Sequence, residues 1–494
     1  MSTVQHQTSE GAGRERWIAL YVLCTGMLMI VLDVTVVNVA LPSIQEDLHF
    51  STSSLAWVVN AYLISFGGLL LLAGRLGDLV GRRSIFLAGI GLFTVASLLC
   101  GVAQSQTLLI AARFIQGVGG AMTSAVILGM IVTMFPEPRE QAKAIGVYAF
   151  VASAGGAVGL LAGGLITQSI NWHWIFFVNL PIGIFTALAT RRLLQRDKGI
   201  GFAAGADIPG ALLITSALML GVYTIVKPAA EDGWGAGRTL AFAAGSLVLL
   251  AAFVAREATA RSPLVPLRIF RSRNLVFANL IQVLSVAGMF GMFFLGALYL
   301  RRVLGYDALQ IGLAFLPVTV AMAVLSIRFS ERLVMRFGAQ PTVIAGLVLI
   351  GIALVLFALA PVHSSYVSGV LPSMALLGIG AGACFPALMG MAMSGSTPQD
   401  AGLASGLVNT TAQVGGALGL AVLATLSASH SAHLSAQGRT SAVALTAGYH
   451  LAFWIASALV ALAIAVALSA RVPRSAGSHE PAAEGEPAVE IGVP

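Results

Sequence analysis

Two ionisable side chains stand in apolar runs that leave them no obvious access to water. Asp33 is the only charged residue between Trp17 and Ala40. A carboxylate inside a membrane-length helix costs roughly 2.5–3.5 kcal/mol. A carboxyl taken out of water favours its protonated form. A group that protonates on one side of a membrane and ionises on the other can carry a proton. Asp33 therefore has three readings: a satisfied structural carboxylate, a proton carrier, or the counter-charge of a cationic substrate. Arg113 is the only Lys or Arg well inside a predicted span, and it shares one helix face with Gln116, Gly117 and Gly120 at i, i+3, i+4 and i+7. A buried arginine needs a partner or a wet cavity. A static brace holding nearby carbonyls would meet the same need.

The stretch Gly74-Arg75-Leu76-Gly77-Asp78-Leu79-Val80-Gly81-Arg82-Arg83 joins two apolar runs. Its glycines permit a tight turn and close helix approach. Asp78 can accept from a neighbouring helix N-terminus or pair with an arginine. An ordinary positive-inside loop explains Arg82 and Arg83 but not Asp78 or the spacing of Gly74 and Gly81. A conformational latch accounts for all of them. Asn38, Asn60, Tyr62, Gln116, Gln282, Asn409 and Gln413 are candidates to line a substrate path, and each could equally bond across helices. Gly155, Gly159 and Gly163, with Gly164 beside them, form a small-residue stripe for close helix contact. Asp307 and Gln310 have capping-box spacing and receive no functional role. His430 and His433 lack further ligands, so no metal is expected. Cys24, Cys100 and Cys384 read as small core residues. No nucleotide loop and no catalytic set is visible, so no cofactor is expected and the chain is not read as an enzyme.

The elements that must position these residues are membrane helices. The chain has 494 residues, of which 57% are hydrophobic and 10% charged, and its mean hydropathy is +0.91. Apolar runs repeatedly reach the 18–20 residues that cross about 30 Å of hydrocarbon. The pattern predicts an all-α polytopic membrane protein with fourteen spans, near 17–41, 55–74, 84–103, 107–134, 143–167, 174–193, 208–227, 238–255, 275–300, 309–327, 341–360, 367–391, 402–428 and 447–469. With both termini inside, most of the 27 Lys and Arg fall on the inner side, as the positive-inside rule requires. The net charge of +7 is thus topological and does not point to nucleic acid. Glu331 to Gly338 resembles Gly74 to Gly81, with Arg332 and Leu333 matching Arg75 and Leu76. Two related six-helix halves follow, with two extra helices between them. The expected organisation is a disordered tail (1–16), an N-terminal half (17–195), a linker with two extra helices (196–271), a C-terminal half (272–470) and a second disordered tail (471–494).

The Gly74–Arg83 motif closely resembles the loop signature of the Major Facilitator Superfamily. Leu32 to Pro42 is similar to the first-span signature of its fourteen-span drug:proton antiporters. Arg113 to Gly120 resembles the fourth-span motif, and Trp172 to Gly183 the opening of the sixth span. The resemblance runs through most of the membrane region. It implies that Arg113 takes part in proton transfer, and that the fifth-span glycines mark an antiporter. The family's usual Gly-Pro there is Gly159-Leu160 in this chain. The implied function is export of amphipathic organic compounds by proton antiport with alternating access, in the bacterial inner membrane with cytoplasmic termini. The alternatives are a dedicated exporter of one metabolite or antibiotic on the same fold, and a membrane sensor or scaffold that has lost transport. The expected partners are a small organic substrate, protons and the lipid bilayer; envelope efflux partners are not evident. Asp33 is the only carboxylate well inside a predicted span. That favours monovalent cations or neutral compounds as cargo, and Asp33→Asn is expected to stop export while leaving the protein folded and inserted.

Overall fold

Segments apolar on every face, rather than along one stripe, form helices that bury their surface in protein or lipid. The computed structural model describes residues 2–197, 199–201, 205–361, 365–394 and 401–470, and no strand occurs among them. The expected C-terminal tail, with Arg471 and Arg474, lies outside the described residues, as does Lys198.

The N-terminal half comprises α1 (Ser2–Asp47), α2 (Thr52–Val80), α3 (Arg82–Gly101), α4 (Gln106–Met134), α5 (Pro138–Ser169), and the short α6 (Trp174–Phe177) running into α7 (Asn179–Leu193). The linker carries α8 (Ile208–Val226), α9 (Pro228–Glu231) and α10 (Gly237–Thr259). The C-terminal half comprises α11 (Arg273–Arg302), α12 (Ala308–Val324), α13 (Ser330–Phe337), α14 (Ala339–Ala358), α15 (Leu371–Met393), α16 (Ala401–Ala436) and α17 (Ser441–Ser469). Helix α1 begins upstream of Trp17, within the stretch expected to be a disordered tail. Thirteen helical segments among the described residues are long and apolar enough to cross a membrane. The 32-residue α5 stands at the remaining expected span and falls outside that set.

Helix starts follow local chemistry. Ser51 accepts from Ser54 N at the start of α2, and Ser105 from Leu108 N at the start of α4. Asp307 and Gln310 form the reciprocal capping box that opens α12. Gly81, between α2 and α3, has φ +107°, and Gly338, between α13 and α14, has φ +91°. Both adopt a backbone that residues with a Cβ avoid, so the sequence repeat is also a repeat of turn geometry.

The helix neighbours repeat as well. In the N-terminal half α3 packs on α4, α2 on α4, α1 on α5, and α7 on α1 and α3. In the C-terminal half α14 packs on α15, α12 on α15, α11 on α16, and α17 on α11 and α14. The halves meet reciprocally, α2 against α16 and α5 against α12, with α1 touching α11. Helix α8 sits against both α2 and α16, and α10 packs on α8. Leu240, Leu247 and Val248 on α10 remain exposed, as befits a helix facing lipid.

Candidate functional site

Five helices of the N-terminal half converge on Arg113. On α4, Gly117 faces α2, where a Cβ would lie 2.5 Å from the Tyr62 carbonyl oxygen. Gly119 faces α3, where a Cβ would lie 2.6 Å from Phe93 N. These glycines let α4 sit tightly between α2 and α3, so Arg113 and Gln116 are held among backbones rather than among long side chains.

The guanidinium donates through Nη1 to Asp33 Oδ2 of α1 at 2.5 Å and to Gln116 Oε1 at 2.7 Å. Its Nε donates to the Val58 carbonyl of α2 at 2.9 Å. Gln116 Nε2 donates to Asp33 Oδ1 at 2.7 Å and to Ser97 Oγ of α3 at 2.8 Å. Asn179, the first residue of α7, donates through Nδ2 to the same Asp33 oxygen at 3.1 Å. The Tyr62 ring lies 4.5 Å from the guanidinium carbon. Cys100 Sγ approaches Gln116 Oε1 at 3.7 Å. Asp33 is 2% exposed and Arg113 1%, so water contributes almost nothing to the pair.

A buried ion pair is a poor source of stability, because desolvation offsets its attraction. This pair is well solvated by protein dipoles instead. Both Asp33 oxygens accept, and the cation has an anion, an amide oxygen, a carbonyl and a π face. Protonating Asp33 would leave that cation without its anion, so a single proton alters the bonding between α1 and α4.

The latch candidates also come together. Asp78 pairs with Arg82 at 3.1 Å. Arg82 reaches α4 through the Gly129 carbonyl at 2.9 Å and Thr133 Oγ1 at 3.0 Å. Arg83 donates to the Arg191 carbonyl of α7 at 2.7 Å. The Asp197 carboxylate accepts from the backbone N–H groups of Arg82 and Arg83 at the start of α3. Gly74 lies against Ala125 of α4. Beside this turn opens a crevice of about 820 Å³, whose walls include Arg75, Asp78 and Arg82, Leu264, and Leu403 and Gly406 of α16. At the opposite end, Arg301 of α11 grips Glu46 of α1 through two bonds of 3.0 and 3.1 Å, joining the two halves.

The glycine stripe of α5 serves close contact with α1. Gly155 lies against Leu28 and Val31, Gly159 against Thr35, and Gly163 against Val36. Gly164 faces the other half, where a Cβ would be 2.8 Å from the Ala308 carbonyl oxygen of α12.

The candidate cavity residues do not form one group. Gln116 belongs to the ion-pair cluster, and Tyr62 stacks on it. Asn38 bonds back to the Val34 carbonyl of its own helix at 3.1 Å. Asn409 is exposed and does the same with Ser405 at 3.0 Å. Asn60 is fully buried, with neither amide atom bonded. Gln413 presses against Gly67 of α2, its Oε1 buried without a donor, and Gln282 is buried on α11. His433 bonds Gln437 at 2.8 Å. Among the described residues no three His, Cys, Asp or Glu come together as metal ligands.

Sequence reasoning missed Ser97, Asn179 and the place of Cys100 in the cluster. Asn179 is an amide in an otherwise apolar stretch, the same signal that singled out Asp33. Asp33 is the only carboxylate well inside a predicted span, but it is not the only buried acid. Asp207 is 2% exposed and Glu257 4%, because the linker folds back over the ends of α8 and α10.

A membrane bundle of two related halves, with a buried ion pair in one of them, is the architecture of a transporter. The chain belongs to the Major Facilitator Superfamily, which residues 23–420 match. It is 38% identical over 467 residues to the puromycin resistance protein of Streptomyces alboniger, covering 94% of this chain and 92% of that one. It is likewise 38% identical over 465 residues to the cephamycin export protein of Amycolatopsis lactamdurans, covering 94% of each. An auto-inhibited POT family peptide transporter shares the fold with a TM-score of 0.67 at 16% identity, over 93% of this chain and 98% of that one.

Proposed function

We propose that this protein is a proton-coupled exporter of amphipathic organic compounds of the antibiotic class. The observation that carries this reading is the buried Asp33–Arg113 pair, a titratable group held in a bundle whose relatives are named for antibiotic resistance and export. Proton binding to Asp33 breaks its pairing with Arg113 and loosens α1 from α4. Substrate release and proton release then alternate as the bodies 17–195 and 272–470 rock about their seam, with the Asp78 turn as the latch. The arginine bias supports a bacterial inner-membrane chain with that turn and both termini on the cytoplasmic side. One charge crossing 100 mV supplies about 2.3 kcal/mol, roughly a 50-fold gradient before any pH difference is added. The cargo is neutral or a monovalent cation, since one coupling carboxylate stands in the N-terminal half.

The test is efflux from liposomes under an imposed pH gradient. Wild type should export, and Asp33→Asn should not, while remaining inserted. Export by the variant at the wild-type rate would end the coupling role. A narrower reading, an exporter dedicated to one compound, is favoured by relatives named for single antibiotics. A panel of unrelated dyes, biocides and antibiotics separates the two, because a dedicated exporter moves very few.

A further inference from the structure

The linker holds a pair of buried acids, far from Asp33 in sequence and on other helices. Asp207 caps α8, its Oδ1 accepting from Gly210 N at 3.1 Å and from Arg256 Nε at 3.0 Å. Glu257, near the end of α10, accepts through Oε2 from Val265 N at 2.9 Å. The two remaining oxygens, Asp207 Oδ2 and Glu257 Oε1, are buried and have no donor among the described residues. They converge on one point, since a Cβ on Gly210 would lie 2.6 Å from the first and 2.9 Å from the second. Two ionised carboxylates beside one half-exposed arginine leave an uncompensated negative charge on buried oxygens. Like charges so placed favour holding one proton between them.

We propose that Asp207 and Glu257 form a proton-binding site that shares one proton and fastens the connector between α10 and α11 to the linker helices. Protonated, the pair supplies the missing donor and keeps Glu257 on Val265 N. Ionised, the two carboxylates repel, and Glu257 releases the connector between α10 and α11. That connector matters to the latch. Leu264 lines the crevice beside Arg75, Asp78 and Arg82, and Arg75 donates to the Gly205 carbonyl, two residues before Asp207, at 3.1 Å. The other charges on the surrounding elements include Arg75 and the Asp78–Arg82 pair of α2, and Arg261, Arg268, Arg271 and Arg273 along the connector and the start of α11, while Arg238 of α10 pairs with Glu231 and Asp232. Helix α16 brings no Asp, Glu, Lys or Arg. Arg256 is the cation bonded to the pair.

The test is amide hydrogen exchange of the whole protein in detergent, followed over 261–268 from about pH 6 to about pH 9 and corrected for intrinsic rates. Wild type should exchange about tenfold faster there at the alkaline end, the size of effect expected from losing one charge-assisted bond. Glu257→Gln keeps the acceptor for Val265 and gives Asp207 a permanent donor, so its protection should stay high across the range. A flat wild-type profile, or a variant that follows the wild type, overturns the proposal. Infrared difference spectra of the wild type give an independent reading. A protonated-carboxyl band that is lost on raising the pH and missing in Glu257→Gln is expected, and a band unchanged by the substitution overturns it.

Discussion

In the N-terminal half α3 and α4 meet at Gly89 and Gly119, and in the C-terminal half α14 and α15 meet at Gly346 and Gly380. In both crossings each glycine sits against the carbonyl oxygen of the other. Six residues before Gly119 is Arg113; six before Gly380 is Met374. Three before them are Gln116 and Leu377. Eight residues after Gly89 and Gly346 come Ser97 and Leu354, and eleven after come Cys100 and Phe357. Every one of these side chains is buried. Around Phe357 the space is taken by rings, with Phe453 at 4.8 Å and Tyr299 at 5.8 Å. The same crossing thus holds an ion pair on one side and an aromatic core on the other. The two crossings share a backbone geometry, and an ion pair sits beside only the first.

The sharpest way to break this comparison is to exchange the chemistry. Arg113→Met should cost about 3–5 kcal/mol, because it leaves Asp33 buried without its cation. The reciprocal Met374→Arg should be as damaging, since nothing around Phe357 can pair a charge. Both should show as lost accumulation in the membrane and lowered melting temperature in detergent. The neutral double variant Asp33→Asn with Arg113→Gln should recover most of that stability and still fail to export under a pH gradient. Full stability of either single variant would mean that the halves are not chemically distinct.

Removing one donor is a smaller blow. Asn179→Ala leaves an Asp33 oxygen with Gln116 as its remaining donor and should cost about 1–3 kcal/mol, with export slowed. An unchanged transport rate would place Asn179 outside the coupling set.

Packing, unlike charge, should respond equally in the two halves. Gly159 of α5 lies against Thr35 of α1, and Gly419 of α16 lies against Ala287 of α11. Gly159→Ala and Gly419→Ala should each lower stability by about 1–3 kcal/mol through overpacking. A large difference between them in thermal unfolding would show that the symmetry does not extend to close contact. The smallest effect is expected at Arg301→Gln. Its partner Glu46 is solvent-exposed, so the loss should stay within about 1 kcal/mol and shrink further in salt.

Much of this was legible in the sequence for a simple reason: hydrocarbon tolerates few charges, so Asp33 and Arg113 stood out one by one. Their partnership did not, because 80 residues separate them and only the crossing of α1 with α4 brings them together. Gln116 was assigned to a cavity because its helix face was right and its depth was not knowable. Ser97 and Asn179 were passed over, since single small polar residues are common in membrane helices and become a site only in company. Asp207 and Glu257 flank predicted span ends, where the sequence alone puts water near. Burial came from the linker folding back, which no local pattern encodes. The linkage of Gly81 with Gly338, by contrast, was readable, because positive φ demands glycine and leaves a mark in the sequence.

One consequence follows from the Arg113 guanidinium being fastened to the Val58 carbonyl as well as to Asp33. The cation is tied to the backbone of its own half and travels with it. While Asp33 is ionised the pair is neutral, and in the proposed rocking motion it moves no net charge. Once Asp33 takes a proton, the same motion drags an unbalanced positive charge through the field, worth up to about 2.3 kcal/mol per 100 mV. On the proposed coupling, a neutral cargo confines sensitivity to voltage to the proton-loaded stroke, whereas a cationic cargo carries its own charge on the other.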